Sequence, residues 1–466
     1  MVKRAYNKVK REIRNSRYEK KNGNHVIEIL LLTNRDSDNT GDQVIEACDI
    51  ALIHAAMANL NIPRKFYHIS SRSAAIVTKA YVANRDESLL KEARDAISKA
   101  DMVIFGGAPM FNYTYQIFYE RTAITIELCK EYGVPVIFSA IGIEYYREEN
   151  EKCRRITDAV NLDVVRQITT RDDFDSLQKM KHREDLVVAK VADPAVFSAS
   201  VMKNFTAKAL FEREEAIAKE LKIPVEHRVK KTPEKKKIGL FTFRAFGFKD
   251  NGYDFSPEEA TTLWIDLIKE FEQRGYDVEL ITNGHYGDEA FMDSLVREHG
   301  VPVNKCVFNI NMLDDLIPYL SSYDGIVSCR LHPSIISYSF GIPAVGLKWN
   351  MKVQGFYDSI GYGDRVVPVE ELTASHVADV LEQAMKDGVK HDRTFQMTVY
   401  EYLFGGIKNV LGREAVCYTY DELIKNLPPF AGTSKKEAGL KLERKLRRSY
   451  EGYNRARKQV LELQKQ

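Results

Sequence analysis

The chain reads as an α/β protein of two Rossmann-like lobes, each a doubly wound parallel sheet, followed by a C-terminal helical tail. Three observations predict this. Short, unbroken apolar runs alternate with amphipathic helical stretches, as in parallel strands covered on both faces. The alternation stops over 199–236 and restarts after it. The length, 466 residues, exceeds what one hydrophobic core usually supports.

The elements follow in order. "VIEILLLT" (26–33) is the first strand; it runs through "NRDSDNTGDQ", rich in turn and cap residues, into a helix over 44–60. "KFYHIS" is a strand, "DESLLKEARDAISKA" a helix opening on a good N-cap, and "DMVIFGG" a strand ending in glycines. The helix "YQIFYERTAITIELCKEYG" leads to the strand "VPVIFSAIG", then to "VRQITTRDDFDSLQKM" and "DLVVAKVADPAVF". These place an N-terminal lobe at 26–198, after a basic arm at 1–25. Residues 199–236 are charged and end in "EHRVKKTPEKKK", a linker composition. The second lobe spans 237–430. It has strands "KIGLFTFRAFG", "YDVELITNG", "GIVSC" and "PAVGL", and helices that include "SPEEATTLWIDLIKEFEQRG", with its Ser-Pro start. Residues 370–430 are read as finishing this lobe, a return toward the first being open.

The tail, 431–466, carries Leu442, Leu446, Tyr450, Tyr453, Ala456, Val460 and Leu463 at steps of three or four, an apolar helical stripe flanked by Arg and Lys. A packed or membrane-facing helix is favoured over a short coiled coil. Residues 1–21 and 435–466 each carry a net +7, in a chain whose total is +2, which leaves −12 for the body. Basic ends on an acidic body fit solvated helices, a partner's acidic face or anionic lipid.

Composition narrows the classes. No run approaches the length of a bilayer-spanning segment, and the basic N-terminus lacks the apolar stretch of a secretory signal. The cysteines at 48, 129, 153, 306, 329 and 417 form no CxxC pair, so reduced, buried thiols and a cytoplasmic location are expected. No metal cluster, GxGxxG or Walker sequence is present.

In an open α/β sheet, function collects at the carboxyl ends of the strands. The first lobe delivers Asn39, Gly41 and Asp42, then Gly106, Gly107 and Asn112, then Ser139 and Gly142. The second delivers Arg244, then Asn283 and Gly284, then Arg330 and His332 of "CRLH", then Lys348. Cations on one lobe and backbone amides on the other suit a small, multiply anionic ligand in a cleft between lobes. Each element also has a plain structural use: Asp42 as a helix cap, Arg244 in an ion pair, His332 as a buried histidine, Lys348 as an interface lysine.

"CRLHPSIISYSFGIPAVGLKWNMKVQGF" resembles the signature of the polysaccharide pyruvyl transferases, an R-x-H after a strand, then a helix, a G-x-P and a strand ending near a lysine. "NTGDQVI", "DMVIFGGAPMF", "ITTRDDFDSLQKM", "VADPAVF" and "LFTFRAFG" resemble further segments of that family in the right order, over roughly 28–365. "GGAP" departs from the pattern by lacking a third glycine. The resemblance implies a GT-B-like fold and transfer of pyruvyl from phosphoenolpyruvate onto a sugar of a surface polysaccharide, such as capsule or exopolysaccharide, or its lipid-linked precursor. A ketal would form and phosphate would leave, with no cofactor beyond the donor, no metal and no nucleic-acid partner. On the same basis Arg244 and Arg330, with Lys348, would bind phosphoenolpyruvate. His332 would do acid–base work and Asp42 would orient the acceptor. Gly41, Gly106, Gly107 and Asn112 would line the acceptor cleft. The tail lies outside the resemblance; its charge and apolar stripe alone suggest contact with the inner face of the membrane. A nucleotide-sugar glycosyltransferase of the same architecture and a non-catalytic scaffold are the alternatives.

Overall fold

A computed structural model describes residues 26–114, 117–222, 224–225, 229 and 235–464. The N-terminal arm and most of the linker's charged end therefore lie outside the described residues. The chain divides into two compact units.

The first unit takes residues up to Asn34, Leu52–Val191 and Thr398–Leu427. Its strands are β1 Ile27–Thr33, β2 Tyr67–Ser73, β3 Met102–Gly106, β4 Val136–Ile141, β5 Val165–Thr170 and β6 Val187–Lys190. They form one parallel sheet in the order β2-β1-β3-β4-β5-β6. β3 and β4 are buried along their whole length, which explains why their sequences show no polar alternation. Phe105 and Phe138 stack across this pair with ring centroids 4.5 Å apart.

The second unit takes Arg35–Ala51, Ala192–Met397 and the chain from Pro428. Its strands are β7 Lys237–Phe241, β8 Asp277–Ile281, β9 Cys306–Val307, β10 Gly325–Ser328, β11 Ala344–Leu347 and β12 Val366–Val367. The parallel order is β12-β11-β10-β7-β8-β9, the 3-2-1-4-5-6 arrangement of a dinucleotide-type fold read from its other edge. Trp264 and Phe271, on the helix Pro257–Gln273, are fully buried beneath this sheet's helical cover. That helix starts as its sequence predicts, with a Ser256–Glu259 capping box and Pro257 in its first turn.

Three segments sit on the other side of the division from the sequence reading. Residues 192–198, read as the end of the first lobe, join the second unit, where the Ser339 hydroxyl donates to the Val196 carbonyl (2.7 Å). Thr398–Leu427 joins the first unit because Gln167 Nε2 donates to the Tyr402 carbonyl (2.9 Å), while Asn59 binds the Tyr400 hydroxyl (2.9 Å) and the Val416 carbonyl (2.8 Å). Arg35–Ala51, with the "NTGDQ" turn, belongs to the second unit for reasons given below.

The tail forms one helix, Lys435–Leu463, N-capped by Ser434. Its charged side makes the contacts: Arg444 pairs with Asp36, Lys445 with Glu289, and Arg448 with Asp38 (2.8 Å). The predicted apolar stripe faces outward, with Leu446 72%, Tyr450 65% and Tyr453 61% exposed. The helix packs on the body, but through its charged side and not through the stripe. The reason is charge: the acids at 36, 38 and 289 attract the cationic side of the helix.

Candidate functional site

In a doubly wound sheet the strand order reverses at one point, and loops leaving the neighbouring strands diverge there to leave a crevice. In the second unit that point lies between β7 and β10. Phe241 and Ser328, their last residues, are direct register partners, so Thr242–Arg244 and Cys329–His332 leave the sheet side by side. "CRLH" is a strand-to-helix turn. Arg330 is the N-cap of the helix Leu331–Phe340, and His332 and Pro333 fall in its first turn. The helix's own first turn holds no acidic residue to offset its positive end.

The two arginines differ. Arg330 makes a two-pronged contact with Asp288, Nε to Oδ2 at 2.8 Å and Nη2 to Oδ1 at 2.9 Å, and Asp288 is completely buried. The guanidinium lies 4.8 Å from the Phe243 ring centroid and 5.8 Å from that of Trp349. Trp349 is itself anchored by its indole N–H on the Cys329 carbonyl (2.6 Å). This holds Arg330 rigidly and leaves its Nη1 nitrogen uncommitted among the described residues. Arg244 donates its backbone N–H to Asp288 (3.2 Å), while its guanidinium reaches Asp250 at 3.2 Å in a solvent-screened pair. Such a pair is weak, so a ligand can displace it. Lys348 follows β11, where its backbone N–H bonds the Val367 carbonyl (3.0 Å); its ammonium has no partner among the described residues.

His332 is buried, and its ring lies against Gly41. A Cβ on Gly41 would stand 2.2 Å from the imidazole Cγ and 2.3 Å from Nδ1, so only glycine fits. Asn39 holds this turn: its Oδ1 accepts from the Gly41 N–H and from Asn283 Nδ2, both at 2.9 Å, and its Nδ2 lies 3.4 Å from His332 Nδ1. Thr40 donates through its backbone N–H and its hydroxyl to the Asn283 carbonyl, both at 2.8 Å. Gly284, with φ +85°, lets the backbone pass close to the Asp38 carbonyl. These contacts place Asn39 and Gly41 in the second unit, and Asp42 sits buried in the first turn of the helix Thr40–Asn59.

Gly106, Gly107 and Asn112 belong to the first unit. Gly107, at φ +45°, turns the chain after β3. The amides of this turn are already used within the unit: Gly107 on Ser139, Ala108 on Gly106, Met110 on Ala108 and Phe111 on Gly142. Residue 109 is proline and has no N–H. The turn therefore presents no spare amide from 107 to 111, contrary to the expected amide half-site for an anion. Asn112 follows, half-buried, its carbonyl accepting from Tyr119 (3.2 Å).

Two residues of the cluster escape the sequence reading, Asp288 and His285. His285 caps the helix Tyr286–His299 by accepting the Gly287 N–H on Nδ1 (3.2 Å). Burial first, then the Arg330 charge, lowers its pKa against the pull of Asp288, so near neutrality the ring is uncharged. Among the described residues no group of three His, Cys, Asp or Glu side chains converges as a metal site, and no helix is long and apolar enough to cross a membrane.

The fold and the cationic cluster define a two-unit Rossmann-like protein of GT-B-like type. Among solved structures the fold is similar to that of UDP-GlcNAc 2-epimerase from Methanocaldococcus jannaschii (TM-score 0.50, 12% identity, covering 81% of this chain and 98% of that one). It is also similar to a protein described as a UDP-N-acetylglucosamine 2-epimerase from Listeria monocytogenes (TM-score 0.50, 9% identity, covering 84% and 99%). At these identities the likeness is one of fold. A search of curated protein sequences returns no match. The family model for polysaccharide pyruvyl transferase matches residues 14–351, and the chain belongs to that family. Arg244, Asp288, Arg330, His332 and Lys348 all fall within the matched span.

Proposed function

We propose that the protein transfers pyruvyl from phosphoenolpyruvate onto two hydroxyls of one sugar in a polysaccharide or its lipid-linked precursor, forming a ketal and releasing phosphate. Family membership supports pyruvyl transfer, and the observation that carries the donor assignment is the cation set around β7 and β10. Phosphoenolpyruvate places a carboxylate and a phosphate on three carbons. Arg330, held in place by Asp288, offers its free nitrogen to one group. Arg244, released from Asp250, and Lys348 meet the other.

The reaction needs a proton on the methylene carbon, which makes C2 electrophilic. His332 supplies it, an imidazole being able to exchange protons near neutral pH. The first sugar hydroxyl adds to C2 as its proton passes to the now neutral His332, which restores the acid, with Asp42 orienting the sugar. The C–O bond to phosphate then breaks, the departing oxygen taking its charge to the cations. The second hydroxyl closes the ketal and its proton leaves with phosphate.

The test incubates the protein with phosphoenolpyruvate and a panel of glycans, free and lipid-linked in anionic liposomes, and follows phosphate by 31P NMR. Acceptor-dependent phosphate with a new ketal methyl signal is expected, and faster turnover on liposomes supports membrane contact through the outward stripe of the tail. His332→Ala is expected to slow turnover by about a hundredfold or more. Release of a nucleoside diphosphate from a nucleotide sugar, with phosphoenolpyruvate inert, would replace this reading by glycosyl transfer.

A further inference from the structure

The tail helix lies outside the span matched by the family model, yet it grips the two segments that build the cationic cluster. The first is the turn at 36–41. Arg444 pairs with the Asp36 carboxylate, and Arg448 donates to the Asp36 carbonyl and pairs with Asp38 at 2.8 Å. Three residues on, Asn39 and Gly41 touch the His332 ring. The second is the start of the helix Tyr286–His299. Lys445 binds Glu289 and, at 2.8 Å, Asn311 Oδ1. Glu289 adjoins Asp288, which fixes Arg330.

The gripping positions 437, 441, 444, 445 and 448 repeat at helical spacing, so they share one face of the tail. At its start, Glu437 pairs with Arg35, which also binds Glu46 at 3.0 Å. Lys445 and Glu289 are each only 17% exposed, and Lys441 is buried enough for its pKa to be lowered. Pairs screened this little from each other hold more firmly than open surface ones. The turn carries no strand, and besides the Thr40 N–H on the Asn283 carbonyl it is tied down by side chains such as Asn283, Arg444 and Arg448.

We infer that the C-terminal helix is a clasp that positions His332 and Arg330, acting through Asp36, Asp38 and Glu289. Arg444, Lys445 and Arg448 are its positioning residues. The inference rests on His332 and Arg330 being the working residues proposed above, and its test uses no substrate.

The full chain is compared with a triple variant, Arg444→Glu/Lys445→Glu/Arg448→Glu. Amide hydrogen exchange is read at 36–41 and in β7 and β10, and the imidazole cross-peaks of His332 are assigned with His332→Gln. The clasp predicts that exchange at 36–41 rises by about tenfold or more, the summed effect of losing three ion pairs. The His332 peaks shift while β7 and β10 stay protected. The reciprocal variant Arg448→Asp/Asp38→Arg is expected to return the His332 peaks toward their original positions, relative to Arg448→Asp alone. Unchanged exchange and unchanged peaks in the triple variant overturn the clasp. Should that variant fail to fold, the swap decides: no recovery over Arg448→Asp alone overturns it equally. Failure of the unaltered chain to release phosphate would bear on the donor reading alone.

Discussion

The two units share a plan and differ in what they place at the point where their strand order reverses. In the first unit that point lies between β1 and β3, and the glycine turn after β3 spends its amides on its own neighbours. In the second it lies between β7 and β10, where two arginines and a histidine emerge; Asp288 holds Arg330 and the Arg244 backbone, and Asn39 adjoins His332. The scaffold is thus neutral toward chemistry, and the difference lies in which loops carry charge and which carry only a turn. The second unit's cations are also arranged by counter-charges, with a buried aspartate between Arg330 and the Arg244 backbone.

The largest change expected from breaking this arrangement follows Asp288→Asn. Removing one charge of a buried pair leaves the Arg330 guanidinium uncompensated, at a cost of about 3 kcal/mol. Chemical denaturation should show it as a lower midpoint with unchanged slope, and phosphate release should fall more than stability explains. An unaltered midpoint would mean that the pair is not fixed in solution. Gly41→Ala comes next. Its methyl group would overlap the His332 ring, and relief by shifting the turn costs roughly 1–3 kcal/mol. Gly133→Ala in the first unit is the matched control, since nothing lies near its Cβ and only the φ of +67° opposes the change. Thermal unfolding of both variants separates a clash from simple backbone strain, and equal losses would argue against the Gly41–His332 contact.

The smallest effect concerns acid. Burial lowers His54 in the first unit to about 4 from an ordinary 6.5, with Arg64 adding to the shift. The folded state keeps this ring neutral while the unfolded chain protonates first. Its contribution is therefore complete above about 6.5 and is lost as pH falls toward about 4. His54→Gln should flatten the stability profile in that window, read by urea denaturation at stepped pH. A profile that stays as steep would assign the acid sensitivity elsewhere, His285 of the second unit being another histidine lowered by burial.

The strands were legible because buried parallel strands advertise themselves as short apolar runs, and "CRLH" was legible because charge directly after such a run is unusual. What escaped has a common physical cause. Asp288 lies in "HYGDEAF", where an acid in a helix's first turn is an ordinary response to the helix dipole, and nothing local signals its burial. Gly41 looks like any turn glycine until the residue 291 positions later comes to rest on it. The tail's periodicity revealed two faces. Which one docks depends on Asp36, Asp38 and Glu289, and no pattern within the tail can report acids so far away in the chain.

The nearness of the Arg330 cation to Trp349 has a spectroscopic consequence. The chain holds two tryptophans. Trp264 is sealed in the core, whereas Trp349 is partly accessible and carries the Arg330 cation near its ring. Indole emission responds to a nearby charge, so an anion that draws the guanidinium would alter one emitter while the other serves as a constant internal standard. The molecule carries its own optical reporter, seated near the Arg330 guanidinium.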